Sequence, residues 1–140
     1  MTPQIYTLQK WNNSISFSPE RWGLITQINL NWKDILYFNE ETFLNLEKNV
    51  RGWIPLMFPN AWPLNENKIY DLKQHWFARN ANFEYFLWEN FIEMTLNSNS
   101  ETKKQYNYDF IFKIHAELID DFIIIKQIIT NLWWNKMPIS

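Results

Sequence analysis

Short runs in which apolar and polar residues alternate with a period of two dominate this 140-residue chain. Residues 24, 26, 28 and 30 alternate with residues 25, 27 and 29, and residues 108–118 alternate in a similar way. Because neighbouring side chains of a strand point to opposite faces, this pattern predicts β-strands. Short strands at nearly regular spacing predict an all-β fold, in the form of a large antiparallel sandwich.

The predicted strands are joined in part by hairpins. The first hairpin turns at Asn31-Trp32, the second at Trp88-Glu89-Asn90 and the third at Ile119-Asp120-Asp121. Evidence for helix is limited to a single turn within residues 40–46, and the polar residues 97–105 are predicted to form a solvated loop. The predicted strands cover residues 24–30, 35–38, 83–87, 91–96, 108–118 and 122–130.

Composition excludes several classes of partner. The net charge is −2 and no basic stripe is present, so we do not expect nucleic acid to bind. The longest apolar run, residues 122–125, is too short to span a membrane, and residues 1–4 lack the layout of a signal peptide. The absence of cysteine suits a reducing compartment. These features favour a cytoplasmic protein, with residues 1–140 forming one domain or part of one.

Two arginines and a histidine lie among prolines and aromatic residues between positions 51 and 79. The first segment reads Arg51-Gly52-Trp53-Ile54-Pro55-Leu56-Met57-Phe58-Pro59, and the second reads Gln74-His75-Trp76-Phe77-Ala78-Arg79. These segments resemble the signature of the aldose 1-epimerase (galactose mutarotase-like) family, in which R-G-G-I-P-x-x-F-P is followed by Q-H-G-F-A-R. The resemblance implies an antiparallel β-supersandwich of the galactose mutarotase type.

The resemblance also implies an isomerase that interconverts the α and β anomers of an aldose or a hexose 6-phosphate. Opening the sugar ring requires one group that removes the proton of the anomeric hydroxyl and another that protonates the ring oxygen. By resemblance His75 assists protonation, Arg51 and Arg79 bind hydroxyls or phosphate, and Phe77 lines the pocket. The implied partner is a small-molecule sugar or sugar phosphate, and neither a metal ion nor another cofactor is needed.

The resemblance covers nearly all of this chain but only the first half or so of the family's domain. Residues 133–140 resemble the family's segment just before a Gly-x-His-Pro-Tyr motif, which does not follow here. The family's second histidine, its substrate-binding aspartate and its glutamate base would therefore lie after Ser140. We expect residues 1–140 to form the N-terminal part of one sandwich domain, incomplete and inactive by itself because the catalytic base is absent.

Other interpretations of the same residues remain open. A non-catalytic carbohydrate-binding β-sandwich would use the same residues to hold a sugar without turnover. His75 is also consistent with a buried structural histidine, and Arg51 and Arg79 with surface ion pairs. His115 has no motif around it and is predicted to face solvent on the same strand face as Lys113 and Glu117.

Tryptophan replaces glycine at many positions of the family's pattern. The chain has 2 glycines and 9 tryptophans, whereas glycine is usually about 7% of a protein. Tryptophan occupies six positions where the family has glycine, namely 22, 32, 53, 62, 76 and 88. We hypothesise that most of these are glycine in the native protein, encoded by a codon such as UGA that some bacterial codes read as glycine. Genuine tryptophan in a decayed or engineered copy is the alternative.

Overall fold

The computed structural model describes residues 2–63, 72–75, 77–120 and 122–140, which contain two four-stranded antiparallel sheets. The first sheet has the order β1 (Tyr6–Lys10), β2 (Asn13–Ser18), β3 (Leu24–Leu30) and β4 (Lys33–Asp34). The second sheet has the order β5 (Glu84–Leu87), β6 (Phe91–Asn97), β7 (Phe110–Ile119) and β8 (Phe122–Asn131). The all-β prediction is confirmed.

Helical segments are short and lie in the connections. Helix α1 spans Glu40–Leu44, helix α2 spans Ser100–Lys103, and a single 3-10 turn spans Ala78–Asn80. The single turn predicted within residues 40–46 is therefore confirmed. In the part of the chain that the structure describes, no helix is both long enough and apolar enough to cross a membrane.

Five predicted strands are confirmed to within two residues at either end, but the strand predicted at residues 35–38 is wrong. The turn at Asn31-Trp32 contains only two residues, so pairing resumes at once, with Lys33 opposite Leu30. The backbone N–H of Ile35 still donates to the Ile28 carbonyl at 2.8 Å, after which the chain leaves the sheet. Strand β4 therefore comes earlier and is shorter than the apolar run suggested.

The segment predicted as a solvated loop at residues 97–105 is mostly exposed as expected, but helix α2 forms within it. The Asn99 side chain accepts a hydrogen bond from the backbone N–H of Thr102 at 3.0 Å, and the Thr102 hydroxyl accepts one from the backbone N–H of Asn99 at 2.9 Å. These two reciprocal bonds satisfy backbone donors at the start of the helix. Thr102 is buried as a result.

A single main core joins the two sheets. Strand β7 alternates buried and partly buried residues along its length, and its buried face packs against side chains of the first sheet and of the loops. Removal of these apolar side chains from water is the main force that holds the sheets together. The largest fully buried members of this core include Phe17, Phe58, Tyr106, Phe110 and Phe112.

The opposite face of the second sheet carries a charged cluster around His115. Its Nδ1 lies 3.3 Å from an oxygen of Glu93 and its Nε2 lies 3.5 Å from an oxygen of Glu117, while its ring stacks on Phe91 at 5.3 Å. The prediction that His115 shares a face with Lys113 and Glu117 is confirmed. The His115 side chain is only 18% exposed, however, because these neighbours cover it.

We expect acid to destabilise the fold partly through Glu93. The Lys113 ammonium, which donates to Glu93 at 3.0 Å, holds the pKa of Glu93 below its ordinary value. A carboxylate with a lowered pKa stabilises the folded state at neutral pH, and this contribution is lost as the pH falls below about 4.5. Lys113→Met should therefore lower the free energy of unfolding at pH 7 by about 0.2–1 kcal/mol and flatten its dependence on pH.

Urea unfolding between pH 3 and 7 measures this effect, with the exposed Lys136→Met as the matched control. Equal dependence on acid in both variants would show that the Glu93 pair does not contribute.

Several residues that are not glycine have a backbone in the left-handed region. In the described residues, φ is positive at Trp11 (55°), Trp22 (67°), Asn31 (50°) and Trp32 (65°), among others. Trp11 lies in the turn between β1 and β2, and Asn31 and Trp32 form the turn between β3 and β4. The hairpin predicted at Asn31-Trp32 is therefore confirmed. Bulky side chains seldom adopt this backbone conformation.

Candidate functional site

The loop that carries Arg51 is attached to the start of helix α1. Asn39 caps this helix, since its side chain accepts a hydrogen bond from the backbone N–H of Thr42 at 2.8 Å. The Thr42 hydroxyl in turn accepts one from the backbone N–H of Arg51 at 3.0 Å, and the Arg51 carbonyl accepts one from the backbone N–H of Asn39 at 2.9 Å. The backbone of residue 51 is thus held on both sides by the helix N-terminus.

Gly52 allows this loop to pass close to the preceding segment. Its φ is 74°, and a Cβ atom at this position would lie 2.1 Å from the backbone oxygen of Tyr37. Only glycine fits both the left-handed conformation and the close approach. The Arg-Gly pair of the motif therefore has a structural reason, since Gly52 allows the path on which Arg51 is presented.

A polar cavity of about 400 Å³ lies beside this loop, lined by Asn39, Glu41, Thr42, Lys48, Asn49 and Arg51. Lys48 and Glu41 form an ion pair across it at 2.9 Å. Arg79 reaches the same place from the second motif segment, because its Nη2 donates to the Asn49 side-chain oxygen at 3.4 Å. Arg51, which lines the cavity, and Arg79, which contacts one of the lining residues, are 28 residues apart in sequence.

The two motif segments also lie side by side. Phe58 and Phe77 form an isolated parallel bridge, in which the backbone N–H of Ala78 donates to the Phe58 carbonyl at 3.2 Å. The Phe58 and Phe77 rings meet at 5.9 Å, and Phe77 stacks on Phe110 of the core at 5.8 Å. The core thereby anchors the second segment just before Arg79.

The four predicted site residues do not line one common cavity in the described part of the chain. Arg51 is exposed in the 400 Å³ cavity, and Arg79 contacts Asn49 on its wall. Phe77 lines a different cavity of about 390 Å³, together with polar residues of helix α2 and its flanks. His75 is partly buried with a φ of 57° and lines neither cavity. Its neighbour at position 76 lies outside the described residues.

No metal centre is evident in the described ranges, where no group of three or more histidine, aspartate or glutamate side chains is arranged to hold an ion. The described cavity offers hydrogen-bond donors from guanidinium, ammonium and amide groups, together with the Glu41 carboxylate, which is paired with Lys48. Such donors match adjacent oxygen atoms of a sugar or of a phosphate.

Arg21 supports this region, although nothing in the sequence distinguishes it. It is only 4% exposed, and its Nη2 donates to the carbonyls of Asn45 and Lys48 at 2.9 Å each. Its guanidinium lies over the Trp22 ring at 3.9 Å, and burial lowers its pKa. Arg21 therefore fixes the segment that leads to Asn49, and its importance depends on backbone carbonyls that sequence alone does not locate.

Comparison with known proteins indicates the fold. No protein-family model matches the chain, and no curated protein matches it. Among solved structures, the Slr1438 protein from Synechocystis sp. PCC 6803 is 30% identical with a TM-score of 0.84, over 99% of this chain and 53% of that one. A galactose mutarotase-like protein from Lactobacillus casei ATCC 334 is 20% identical with a TM-score of 0.78, over 97% and 47%. A galactose mutarotase related enzyme from Lactobacillus acidophilus is 23% identical with a TM-score of 0.70, over 91% and 43%.

These likenesses and the paired antiparallel sheets define a galactose mutarotase-like fold. The resemblance that the motif indicated is confirmed at the level of the fold. The chain spans about half the length of the solved structures that it matches.

Proposed function

We propose that this chain forms the sugar-binding part of an aldose 1-epimerase, and that residues 1–140 are the N-terminal part of its domain. The observation that carries the proposal is that Arg51 lines the polar cavity while Arg79 donates to Asn49, another residue of its lining. The planar fork of a guanidinium donates to two neighbouring oxygens at once. An aldose or a hexose 6-phosphate offers such oxygens. The proposed setting is the cytoplasm, which suits a chain without cysteine.

His75 lines neither described cavity, so its part in the proposed reaction rests on the motif resemblance alone. In that reaction His75 donates a proton to the ring oxygen while a carboxylate base removes the proton of the anomeric hydroxyl. The C1–O5 bond breaks, C1 becomes an aldehyde and O5 becomes a hydroxyl. After rotation of the aldehyde, O5 attacks the other face of C1 and both protons return. The family's glutamate base has no counterpart among the motif residues matched here, so we expect the chain alone to bind sugar without turnover.

NMR titration tests the binding step. Glucose 6-phosphate and galactose are added to the ¹⁵N-labelled chain, with inorganic phosphate as a separate probe, and the guanidinium Nε–H signals of Arg51 and Arg79 are followed. Arg51→Ala should weaken sugar binding at least about tenfold, since hydrogen bonds from charged groups contribute about 1.5–3 kcal/mol. The exposed Lys126→Ala on the second sheet is the control.

Polarimetry provides the second readout of the same experiment, with a complete domain that contains this chain. His75→Asn should slow mutarotation at least about tenfold, since a general acid typically contributes about 10²–10⁴ in rate. An unchanged rate would remove His75 from the mechanism. Sugar binding without any mutarotation in the complete domain would instead favour the non-catalytic carbohydrate-binding protein. Unaltered affinity in Arg51→Ala would contradict the site itself.

A further inference from the structure

Three tryptophans occupy backbone positions that suit glycine. Trp11, Trp22 and Trp32 have φ values of 55°, 67° and 65°, all in the left-handed region. There the Cβ atom of an L-residue lies too close to the neighbouring carbonyl oxygen, whereas glycine has no Cβ and enters this region freely. A bulky aromatic residue at such a φ is an outlier, and the described part of this chain contains these three tryptophans besides His75 at 57° and Phe77 at 25°.

The two exposed cases lie in tight hairpin turns whose geometry specifies the residue. Between β1 and β2 the turn is Trp11-Asn12, and of these two residues only Trp11 has a positive φ. These signs of φ match a type II′ turn, which has glycine at the first central position. Between β3 and β4 both Asn31 and Trp32 have a positive φ. This corresponds to a type I′ turn, for which Asn-Gly is the strongest sequence signal.

Packing does not compensate for this strain in the hairpin turns. Trp11 is 76% exposed and Trp32 is 72% exposed, so neither indole is buried in the core. Trp22 differs, because its ring lies under Arg21 and contacts a small apolar cluster. Trp22 is followed by Gly23 with a φ of 63°, so the backbone is left-handed at two consecutive residues. Such a pair of residues suits Gly-Gly.

We propose that the protein made in its own cells carries glycine at positions 11, 22 and 32, through a codon that those cells read as glycine. Two independent observations agree at positions 22 and 32, where both the motif resemblance and the backbone conformation favour glycine. Position 11 is assigned by the backbone alone. Trp53, Trp62 and Trp88 lie outside the left-handed region, so the backbone conformation carries the assignment only at the three positions named.

Peptide mass spectrometry of the protein purified from its own cells tests the proposal directly. Peptides that cover positions 11, 22 and 32 should carry glycine. Tryptophan at these positions would overturn the proposal. The test is independent of the sugar site, because it reads residue identity and requires no activity.

Stability of the recombinant chain tests the backbone argument separately. The triple variant Trp11→Gly, Trp22→Gly and Trp32→Gly should raise the Tm by about 5 °C or more. The gain should be smallest at Trp22, whose contact with Arg21 is lost. The control variant replaces Trp62, Trp88 and Trp134 by glycine. These residues are 71%, 58% and 88% exposed but lack a positive φ.

The control should show no rise in Tm. Glycine loses more conformational freedom on folding than tryptophan does, and at these positions no left-handed strain is relieved in return. An equal rise in both triple variants would assign the effect to loss of exposed apolar surface, and it would overturn the backbone argument. A fall in the Tm of the first triple variant would overturn it as well.

Discussion

Gly52→Ala is expected to destabilise this chain severely and to displace the loop that carries Arg51. The new Cβ atom would lie 2.1 Å from the backbone oxygen of Tyr37 and 2.5 Å from its ring. A backbone atom cannot rotate away as the end of a flexible side chain can, so the loop itself must move. The φ of Gly52 is also left-handed, at 74°. We therefore expect the free energy of unfolding to fall by about 2–5 kcal/mol, which is a large part of the roughly 5–15 kcal/mol that usually stabilises a protein.

Urea unfolding measures this loss of stability, and two other alanine variants, both with smaller expected losses, serve as references. Gly23→Ala also places a Cβ at a positive φ, but its contacts are side-chain atoms of Phe83 and Leu56 at 2.9–3.0 Å, which can yield. Its expected loss is therefore smaller. Glu89 is exposed, so Glu89→Ala should change the free energy of unfolding by less than about 0.5 kcal/mol. If Gly52→Ala unfolds at the same urea concentration as Glu89→Ala, the described path of the loop is wrong.

Phe58→Ala is expected to be the most damaging substitution of a core side chain. Phe58 is 1% exposed, and its ring lies 4.8 Å from each of the Phe110 and Phe112 rings. Truncation of a buried phenylalanine typically costs about 3–5 kcal/mol, through lost transfer free energy and the cavity left behind. Because Phe58 also contacts Phe77, the second motif segment should lose its support.

Hydrogen exchange and urea unfolding together measure the effect of Phe58→Ala. The backbone N–H of Ala78, which donates to the Phe58 carbonyl, should exchange faster in the variant. Phe122→Ala is the matched control, because this ring is 69% exposed and its removal should cost less than about 0.5 kcal/mol. Similar unfolding midpoints for the two variants would show that Phe58 does not hold the sheets and the motif together.

Strands β6 and β7 have one buried and one partly buried face, and the sequence predicts both of them well. Strand β7 alternates along its whole length, so its pattern is visible without coordinates. Strand β2 was missed although Ser14, Ile15, Ser16, Phe17 and Ser18 alternate in polarity. Five of its six residues are buried, including Ser16 and Ser18, so its polar residues do not mark a solvent face. Helix α2 is too short to show a helical period, and only its capping pair, Asn99 and Thr102, marks it.

The motif named the residues of the candidate site, but it did not specify their arrangement. Arg79 is linked to the cavity that Arg51 lines only through Asn49, which has no distinctive sequence context. Arg21 is recognised as important only from the carbonyl groups that it binds. Contacts of this kind depend on loop paths, and loop paths depend on tertiary packing that local patterns do not encode.

The Arg51 loop is attached to helix α1 by contacts that do not involve the Arg51 side chain. Main-chain groups of residue 51, together with Asn39 and Thr42, make the fastening contacts, and the guanidinium takes no part in them. A different side chain can thus occupy position 51 while the loop keeps its course. Evolution can retune which ligand is recognised at this position without rebuilding the scaffold that presents it.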